Sequence, residues 1–144
     1  MPRITRSAML PYSAQQMYDL VNDVSSYAAF LPGCSNATVL DKIDNKMRAS
    51  IEVSKVGISK TFITENTLVV GESINMSLVD GPFTHLNGTW SFIILDEDAC
   101  KIEFNLDFEF QNLMIKIAFG KIFNELVNNM VDAFTKRAKQ VYGQ

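Results

Sequence analysis

The residues that could perform covalent or metal chemistry are few and far apart. The chain has two cysteines, Cys34 and Cys100, and a single histidine, His85. The cysteines are separated by 66 positions, which matches neither a Cys-x-x-Cys redox pair nor a zinc-binding pattern. We therefore expect two buried free thiols, which behave as small hydrophobic side chains, and no metal site.

Acid–base catalysis is not indicated either. A Ser-His-Asp set would depend on His85, which follows a Gly-Pro turn beside a surface-like loop. The carboxylates alternate outward on predicted strands or crowd into turns, so they form no acid–base pair. The sequence has no glycine-rich phosphate loop and no basic cluster interleaved with aromatic residues. These patterns predict a protein that is not an enzyme, needs no cofactor and does not bind DNA.

Large apolar side chains directed inward are the abundant chemical feature. Apolar pockets with few polar groups are typical small-molecule sites, and methionine side chains adapt well to flexible apolar tails. The same residues could instead simply fill a core, and the sequence leaves both interpretations open. We predict an apolar groove that binds a hydrophobic molecule and is lined by Phe30, Leu31, Phe62, Met76, Leu78, Trp90, Phe92, Phe104, Leu106, Phe108, Val127, Met130 and Phe134.

The segment CKIEFNLDFEF, from Cys100 to Phe110, would form one wall of this groove. Apolar and polar side chains alternate in it without a break, and a period of two places successive side chains on opposite faces of a strand. At about 3.3 Å per residue the strand would be roughly 35 Å long, so in a small domain it must curve. Its Phe104, Leu106 and Phe108 face is predicted to be the concave side.

Shorter patterns predict the other elements of the first two thirds of the chain. Ser13 and Gln16 form a capping box that begins a helix, and Pro32 ends a second short helical stretch. Strands are predicted at Arg3–Leu10, Met47–Val53, Ile58 through Phe62, Ile74–Leu78 and Leu86–Ile94, with turns at Val56-Gly57-Ile58, Asp80-Gly81-Pro82 and Asp96-Glu97-Asp98.

A long amphipathic helix is predicted from Leu113 onward. Apolar residues recur at steps of three and four from Phe119 to Val141. Gly120 would weaken this helix locally and marks a bend or a close approach to the sheet. We predict an α+β fold in which a curved antiparallel sheet wraps around the long C-terminal helix, with two short helices after the first strand.

Composition is that of an ordinary globular chain. The 144 residues are 47% hydrophobic and 20% charged, which favours a single domain over residues 1–144. No apolar run approaches the roughly 18 residues of a membrane span, and the N-terminus lacks the apolar stretch of a signal peptide. We therefore expect a cytoplasmic protein.

Charge is unevenly distributed along the chain. The net charge is −3, yet the segment from Leu113 carries five basic and two acidic residues. A mildly basic helix on an acidic body could contact an anionic partner, with candidate contacts at Lys116, Lys121, Lys136 and Arg137. Alternatively, the cations near the C-terminal end simply complement the helix dipole.

Four segments carry a resemblance to a known family: LVNDVSSYAAFLPGC (20–34), SKVGISKTF (54–62), LVDGPFTHLNGTWSF (78–92) and IEFNLDFEF (102–110). They resemble the bacterial ribosome-association toxin proteins. Those proteins belong with the mitochondrial ubiquinone-binding proteins in a START-like, polyketide cyclase/dehydrase superfamily. The resemblance extends from Pro2 nearly to the C-terminus, and it implies the START-like helix-grip fold.

The resemblance implies two functions that do not exclude each other. One is non-enzymatic binding of ubiquinone or a related isoprenoid lipid in the groove, in support of respiration. The other is toxin-like binding to the large ribosomal subunit, as in a toxin–antitoxin pair, which blocks association of the subunits. The alternative is a small-molecule enzyme of the polyketide cyclase type, which would need an ionisable group facing the pocket.

Overall fold

Seven antiparallel strands form one sheet in the computed structural model, which describes residues 3–55 and 57–143. The strand order is β1-β7-β6-β5-β4-β3-β2, so β2 to β7 form a meander and β1 joins its far edge. The elements are β1 (Arg3–Leu10), α1 (Ala14–Asn22), a 3-10 turn (Val24–Ser26), α2 (Tyr27–Phe30), β2 (Cys34–Ile43), β3 (Lys46–Lys55), β4 (Ile58–Val69), β5 (Ser73–Asp80), β6 (Phe83–Asp96), β7 (Ala99–Phe110) and α3 (Leu113–Tyr142).

Strand β7 has the alternation that its sequence predicts. It pairs with β1 on one side and with β6 on the other. Every second residue from Cys100 to Phe110 is buried, and the residues between them are half-buried or exposed. The strand therefore presents one apolar face to the core and one polar face to solvent.

Helix α3 covers the apolar face of the sheet. It contacts β1 and β7 near one edge and β3 and β4 towards the other, so the sheet curves around it. The Asn112 side chain caps the helix by accepting a hydrogen bond from the Ile115 amide at 2.9 Å. The predicted α+β arrangement, a curved sheet around a long C-terminal helix, is confirmed.

The two short helices begin and end as predicted. Ser13 Oγ accepts from the Gln16 amide at 3.1 Å, and Gln16 Oε1 accepts from the Ser13 amide at 2.9 Å, which completes the capping box. The second stretch is divided into the 3-10 turn and the single turn α2. It ends at Leu31, whose backbone is extended before Pro32.

Three sequence predictions about the strands need correction. Strand β2 was not predicted, because it is an edge strand with two register shifts and its apolar residues do not alternate regularly. Strand β4 continues past Phe62 to Val69. Ile94 does not share the buried face of β6: it is 73% exposed and lies next to a register shift. Of the predicted turn at 56–58, Val56 lies outside the described residues, and Lys55 pairs with Ile58 across it.

Candidate functional site: an apolar cavity under the long helix

A cavity of about 50 Å³ lies between the sheet and α3. Residues of β3, β4, β5, β6 and β7 form its floor, helix α3 forms its roof, and the segment after α1 closes one side. The lining residues are Val24, Tyr27, Ala49, Ile51, Phe62, Thr64, Asn66, Met76, Leu86, Trp90, Phe104, Leu106, Phe123, Leu126, Val127 and Met130.

The structure brings seven of the thirteen predicted groove residues together around this cavity. Of the other six, Leu78 and Phe30 are half-buried and pack against the core, and four are buried within it. Phe30 contacts the Phe134 ring and lies under the Arg137 guanidinium. The seven lining residues are Phe62, Met76, Trp90, Phe104, Leu106, Val127 and Met130, and the four in the core are Leu31, Phe92, Phe108 and Phe134.

Sequence patterns missed nine lining residues. Thr64 and Asn66 are the informative cases, because they follow Phe62 at steps of two on the inner face of β4. The alternation would have placed them inward if the strand had been extended beyond Phe62. The other seven are Val24, Tyr27, Ala49, Ile51, Leu86, Phe123 and Leu126.

Thr64 and Asn66 are the buried polar side chains of this site. They are 3% and 5% exposed, and Thr64 Oγ1 donates a hydrogen bond to Asn66 Oδ1 at 2.9 Å. A buried amide is costly unless it is hydrogen-bonded. The pair therefore forms a small polar spot on an otherwise apolar wall.

Tyr27 is the ionisable residue in the lining. Its hydroxyl donates to the Val21 carbonyl oxygen, and its ring packs against Phe134. Burial raises the pKa of the Tyr27 phenol well above its ordinary value, with smaller contributions from Cys34 and Asp23. The phenol is thus neutral and already hydrogen-bonded. None of the lining residues in the described part of the chain is an aspartate, glutamate, lysine, arginine or histidine.

The cavity is smaller than a typical ligand pocket. Small-molecule pockets are about 300–1,000 Å³, and a cavity of roughly 150 Å³ holds a benzene molecule. Two of the lining residues, Met76 and Met130, are half-buried and unbranched. Because methionine changes rotamer easily, these two side chains are adaptable parts of the wall.

The four predicted partner-binding cations do not form one patch. Lys116, Lys121 and Lys136 are exposed, whereas Arg137 is half-buried with its guanidinium 5.1 Å from the Phe30 ring centroid. Lys116 and Lys136 are 20 residues apart, which is about 30 Å along a helix axis. The cations therefore divide into a pair on the N-terminal half of α3 and a pair near its C-terminal end.

The two cysteines are buried and unpaired, as expected. Burial raises the pKa of both thiols, so neither is activated as a nucleophile. Within residues 3–55 and 57–143, no three His, Cys, Asp or Glu side chains are grouped to hold a metal ion. None of the helices in that part combines the length and apolar character needed to cross a membrane.

Solved structures with the same fold identify the class of protein. A Zhui aromatase/cyclase from a Streptomyces species superposes with a TM-score of 0.84 over 96% of this chain and 94% of its own, at 14% identity. A START superfamily protein from Mycobacterium smegmatis superposes with a TM-score of 0.80 over 96% and 98%, at 21% identity. At these identities the likeness establishes the fold, and the protein has the START-like helix-grip fold.

Sequence comparisons define the family within that class. Residues 10–135 match the family model described as polyketide cyclase / dehydrase and lipid transport. The chain is 60% identical over 144 residues, covering all of both chains, to the ribosome association toxin RatA of Vibrio cholerae. It is 32% identical to the mitochondrial coenzyme Q-binding protein COQ10 homolog B of Xenopus laevis, over 97% of this chain and 59% of that protein. The chain belongs to the ribosome association toxin family, within the polyketide cyclase / dehydrase and lipid transport family.

Proposed function

We propose that the protein is a non-enzymatic binding protein that holds ubiquinone or a related isoprenoid lipid between the sheet and α3. The observation that carries this proposal is the apolar lining of the cavity, whose polar groups are the Thr64–Asn66 pair, the Tyr27 hydroxyl and the Trp90 indole N–H. The relative that binds coenzyme Q, by its name, supports the choice of ligand class. In the cell such a bound quinone would serve respiration.

Ligand uptake requires the cavity to open. An isoprenoid tail gains about 0.8 kcal/mol for each methylene-sized group that it removes from water, so a tail of a few units can offset displaced side-chain contacts. Met76 and Met130 border the cavity from opposite sides, one on β5 and the other on α3. We expect both side chains to turn outward as the lipid enters.

Native mass spectrometry of the purified protein tests lipid binding directly. We expect the protein to co-purify with, or take up, a short-chain ubiquinone in a 1:1 complex. Ala49→Leu should prevent uptake, since Ala49 lines the cavity and the added carbons would fill a volume of about 50 Å³. Ala118→Leu, on the exposed face of α3, is the matched control. A wild-type protein that stays empty when offered quinone would contradict the proposal.

We also propose that the protein associates with the large ribosomal subunit and blocks subunit joining. The specific observation that favours this second function is 60% identity, over the full length, to a protein named ribosome association toxin. Ribosomal RNA is polyanionic, and the exposed lysines of α3 are candidate groups to contact its phosphates. Such contacts weaken steeply as salt concentration rises.

Sucrose-gradient profiles test the ribosomal function. Overexpression should reduce intact ribosomes and increase free subunits, and the protein should sediment with the large subunit at low salt. Unchanged profiles together with absence of the protein from subunit fractions would exclude this function. Lipid binding would be unaffected by that outcome.

A cyclase-type enzyme is the alternative to both functions. The likeness to the aromatase/cyclase concerns the fold alone, at 14% identity. General acid–base catalysis needs a group that can exchange a proton near neutral pH. Tyr27, the ionisable residue of the lining, is held neutral by burial and by its bond to the Val21 carbonyl. These features support the non-enzymatic proposal.

A further inference from the structure

The inner face of β4 carries two polar residues where packing alone would favour aliphatic ones. Thr64 and Asn66 lie between the buried apolar residues Phe62 and Leu68 of the same strand. In the antiparallel register, Asn66 is opposite Met47 on β3 and Met76 on β5. Its lateral neighbours are therefore methionines, whose thioether sulfur is only a weak hydrogen-bond acceptor.

The hydrogen bond between the two side chains orients the amide. Thr64 Oγ1 donates to Asn66 Oδ1, which assigns the oxygen of the amide to Thr64 and leaves the Nδ2 group as the free end. That group has two N–H donors, and the side-chain hydrogen bond found for Asn66 in the described residues is the one that its Oδ1 accepts. Asn66 is only 5% exposed to solvent, and it lines the cavity.

We propose that Asn66 Nδ2 donates a hydrogen bond to an oxygen acceptor on the ligand, and that Thr64 is the residue that positions the amide. The ligand class is then an apolar molecule with a carbonyl or ether oxygen at one end, such as a quinone, and not a plain hydrocarbon. This inference rests on the proposed lipid binding and adds a polar requirement to it.

The register also indicates where the polar end of the ligand lies. Met76 is opposite Asn66 on one side and opposite Gly88 on the other. When the Met76 side chain turns outward, the space beside the Asn66 amide is released. The oxygen-bearing end would occupy that space, and the apolar body would extend along Trp90, Phe104 and Leu106 towards α3.

Paired ligands and paired variants test the inference. Binding of a short-chain ubiquinone and of an all-hydrocarbon isoprenoid of similar length is measured for the wild type, Asn66→Leu and Thr64→Val. We expect Asn66→Leu to weaken quinone binding about three- to tenfold, the usual effect of one neutral hydrogen bond, and to leave hydrocarbon binding unchanged. Thr64→Val should have a smaller effect in the same direction.

Infrared spectroscopy supplies a readout that a merely structural role would not change. A quinone carbonyl that accepts a hydrogen bond absorbs at lower frequency, so the wild-type complex should show a shifted band that Asn66→Leu abolishes. Trp90→Phe tests the other donor on the lining, the Trp90 indole N–H: the quinone that this variant still binds should keep the shifted band, whatever the change in affinity. If Asn66→Leu does not fold, the spectra of the wild type and of Trp90→Phe still test whether the quinone carbonyl accepts a hydrogen bond and whether Trp90 donates it.

Each result separates this inference from the general proposal. An unshifted carbonyl band in the wild type, or equal loss of both ligands in Asn66→Leu, would overturn the hydrogen bond and leave lipid binding intact. A shift that is lost in Trp90→Phe would assign the donor to Trp90 and also overturn it. A wild type that binds neither ligand would instead remove the proposed function itself.

Discussion

At the residue scale, Gly88 on β6 is the register partner of Met76 on β5. A Cβ atom at Gly88 would come within 2.7 Å of Met76 Cε and 2.8 Å of Leu106 Cδ1. Both of these side chains line the cavity, and in each case the near atom is the end of a flexible chain. The missing side chain at Gly88 thus provides the room in which Met76 now lies.

Gly88→Ala should therefore reduce ligand uptake. The added methyl group would push Met76 and Leu106 into the cavity, and overpacking of this kind costs about 1 kcal/mol when flexible side chains can adjust. We expect several-fold weaker quinone binding with a small decrease in melting temperature, measured by titration and by thermal denaturation. Unchanged affinity in a folded variant would show that the ligand does not use the space next to Gly88.

Tyr27 is one of the groups that make stability depend on pH in the alkaline range, because burial also raises the pKa of the Tyr18 and Tyr142 phenols and of the two thiols. Burial raises the pKa of the Tyr27 phenol from an ordinary value of 10.0. Above pH 10 the unfolded chain loses this proton while the folded protein keeps it, so the folded state is progressively disfavoured as pH rises. The stabilisation is complete below the unfolded pKa and is lost with increasing pH.

Tyr27→Phe should remove this part of the alkaline sensitivity. Near neutral pH the variant should be less stable by about 1–2 kcal/mol, because the Val21 carbonyl loses its donor. Between pH 10 and 12 its free energy of unfolding should fall less steeply than that of the wild type, by up to about 1.4 kcal/mol per pH unit. Urea denaturation at several pH values measures both effects, and parallel pH profiles would contradict the role of Tyr27.

At the scale of elements, Gly120 is a place where α3 can be stabilised. A Cβ atom there would lie 3.5 Å from Phe110 Cε2, an ordinary van der Waals distance, so the helix approaches the sheet without requiring glycine. Alanine is favoured over glycine inside a helix by about 1 kcal/mol. We expect Gly120→Ala to raise the free energy of unfolding by that order and to leave quinone binding unchanged, which also makes it a control for Gly88→Ala.

The elements differ in how far their sequences predict them. Strand β7 and helix α3 were predicted because each has one apolar face that repeats regularly, at two residues or at three and four. Strand β2 was missed because it is a solvated edge whose exposed Leu40 and Ile43 hide the alternation. The START-like resemblance implied the same architecture that the residue patterns predict, and it did not add the missing strand.

The cavity was less predictable than the fold. Phe104 and Phe108 are on the same face of β7 and have the same side chain, yet Phe104 lines the cavity and Phe108 packs in the core. Alternation predicts which face of the strand a residue lies on. It does not predict whether side chains from the opposite layer pack against that residue or leave a cavity beside it. Thr64 and Asn66 were missed because inward polar residues interrupt the apolar pattern that marks a strand.

At the scale of the whole molecule, the apolar cavity and the exposed surface of α3 are separate. Lys116 and Lys121 do not line the cavity, and they lie beside the exposed apolar residues Leu113, Met114 and Ile117, which are 67%, 81% and 73% exposed. Exposed apolar residues next to lysines form a surface suited to a macromolecular partner. By contrast, Arg137 is engaged with the Phe30 ring.

This separation predicts that charge reversal will distinguish the two proposed functions. Lys116→Glu with Lys121→Glu should weaken sedimentation with the large subunit and reduce its dependence on salt, since each lost phosphate contact lowers that dependence. Lys136→Glu with Arg137→Glu should have the smaller effect, because that pair lies about 30 Å away along α3 and shares its surface depression with Asp132. Both variants should bind quinone like the wild type.

Two outcomes would contradict this prediction. Equal ribosome association of the wild type and both variants would show that the partner surface lies off α3. A loss of quinone binding in either variant would show that the two functions share one site.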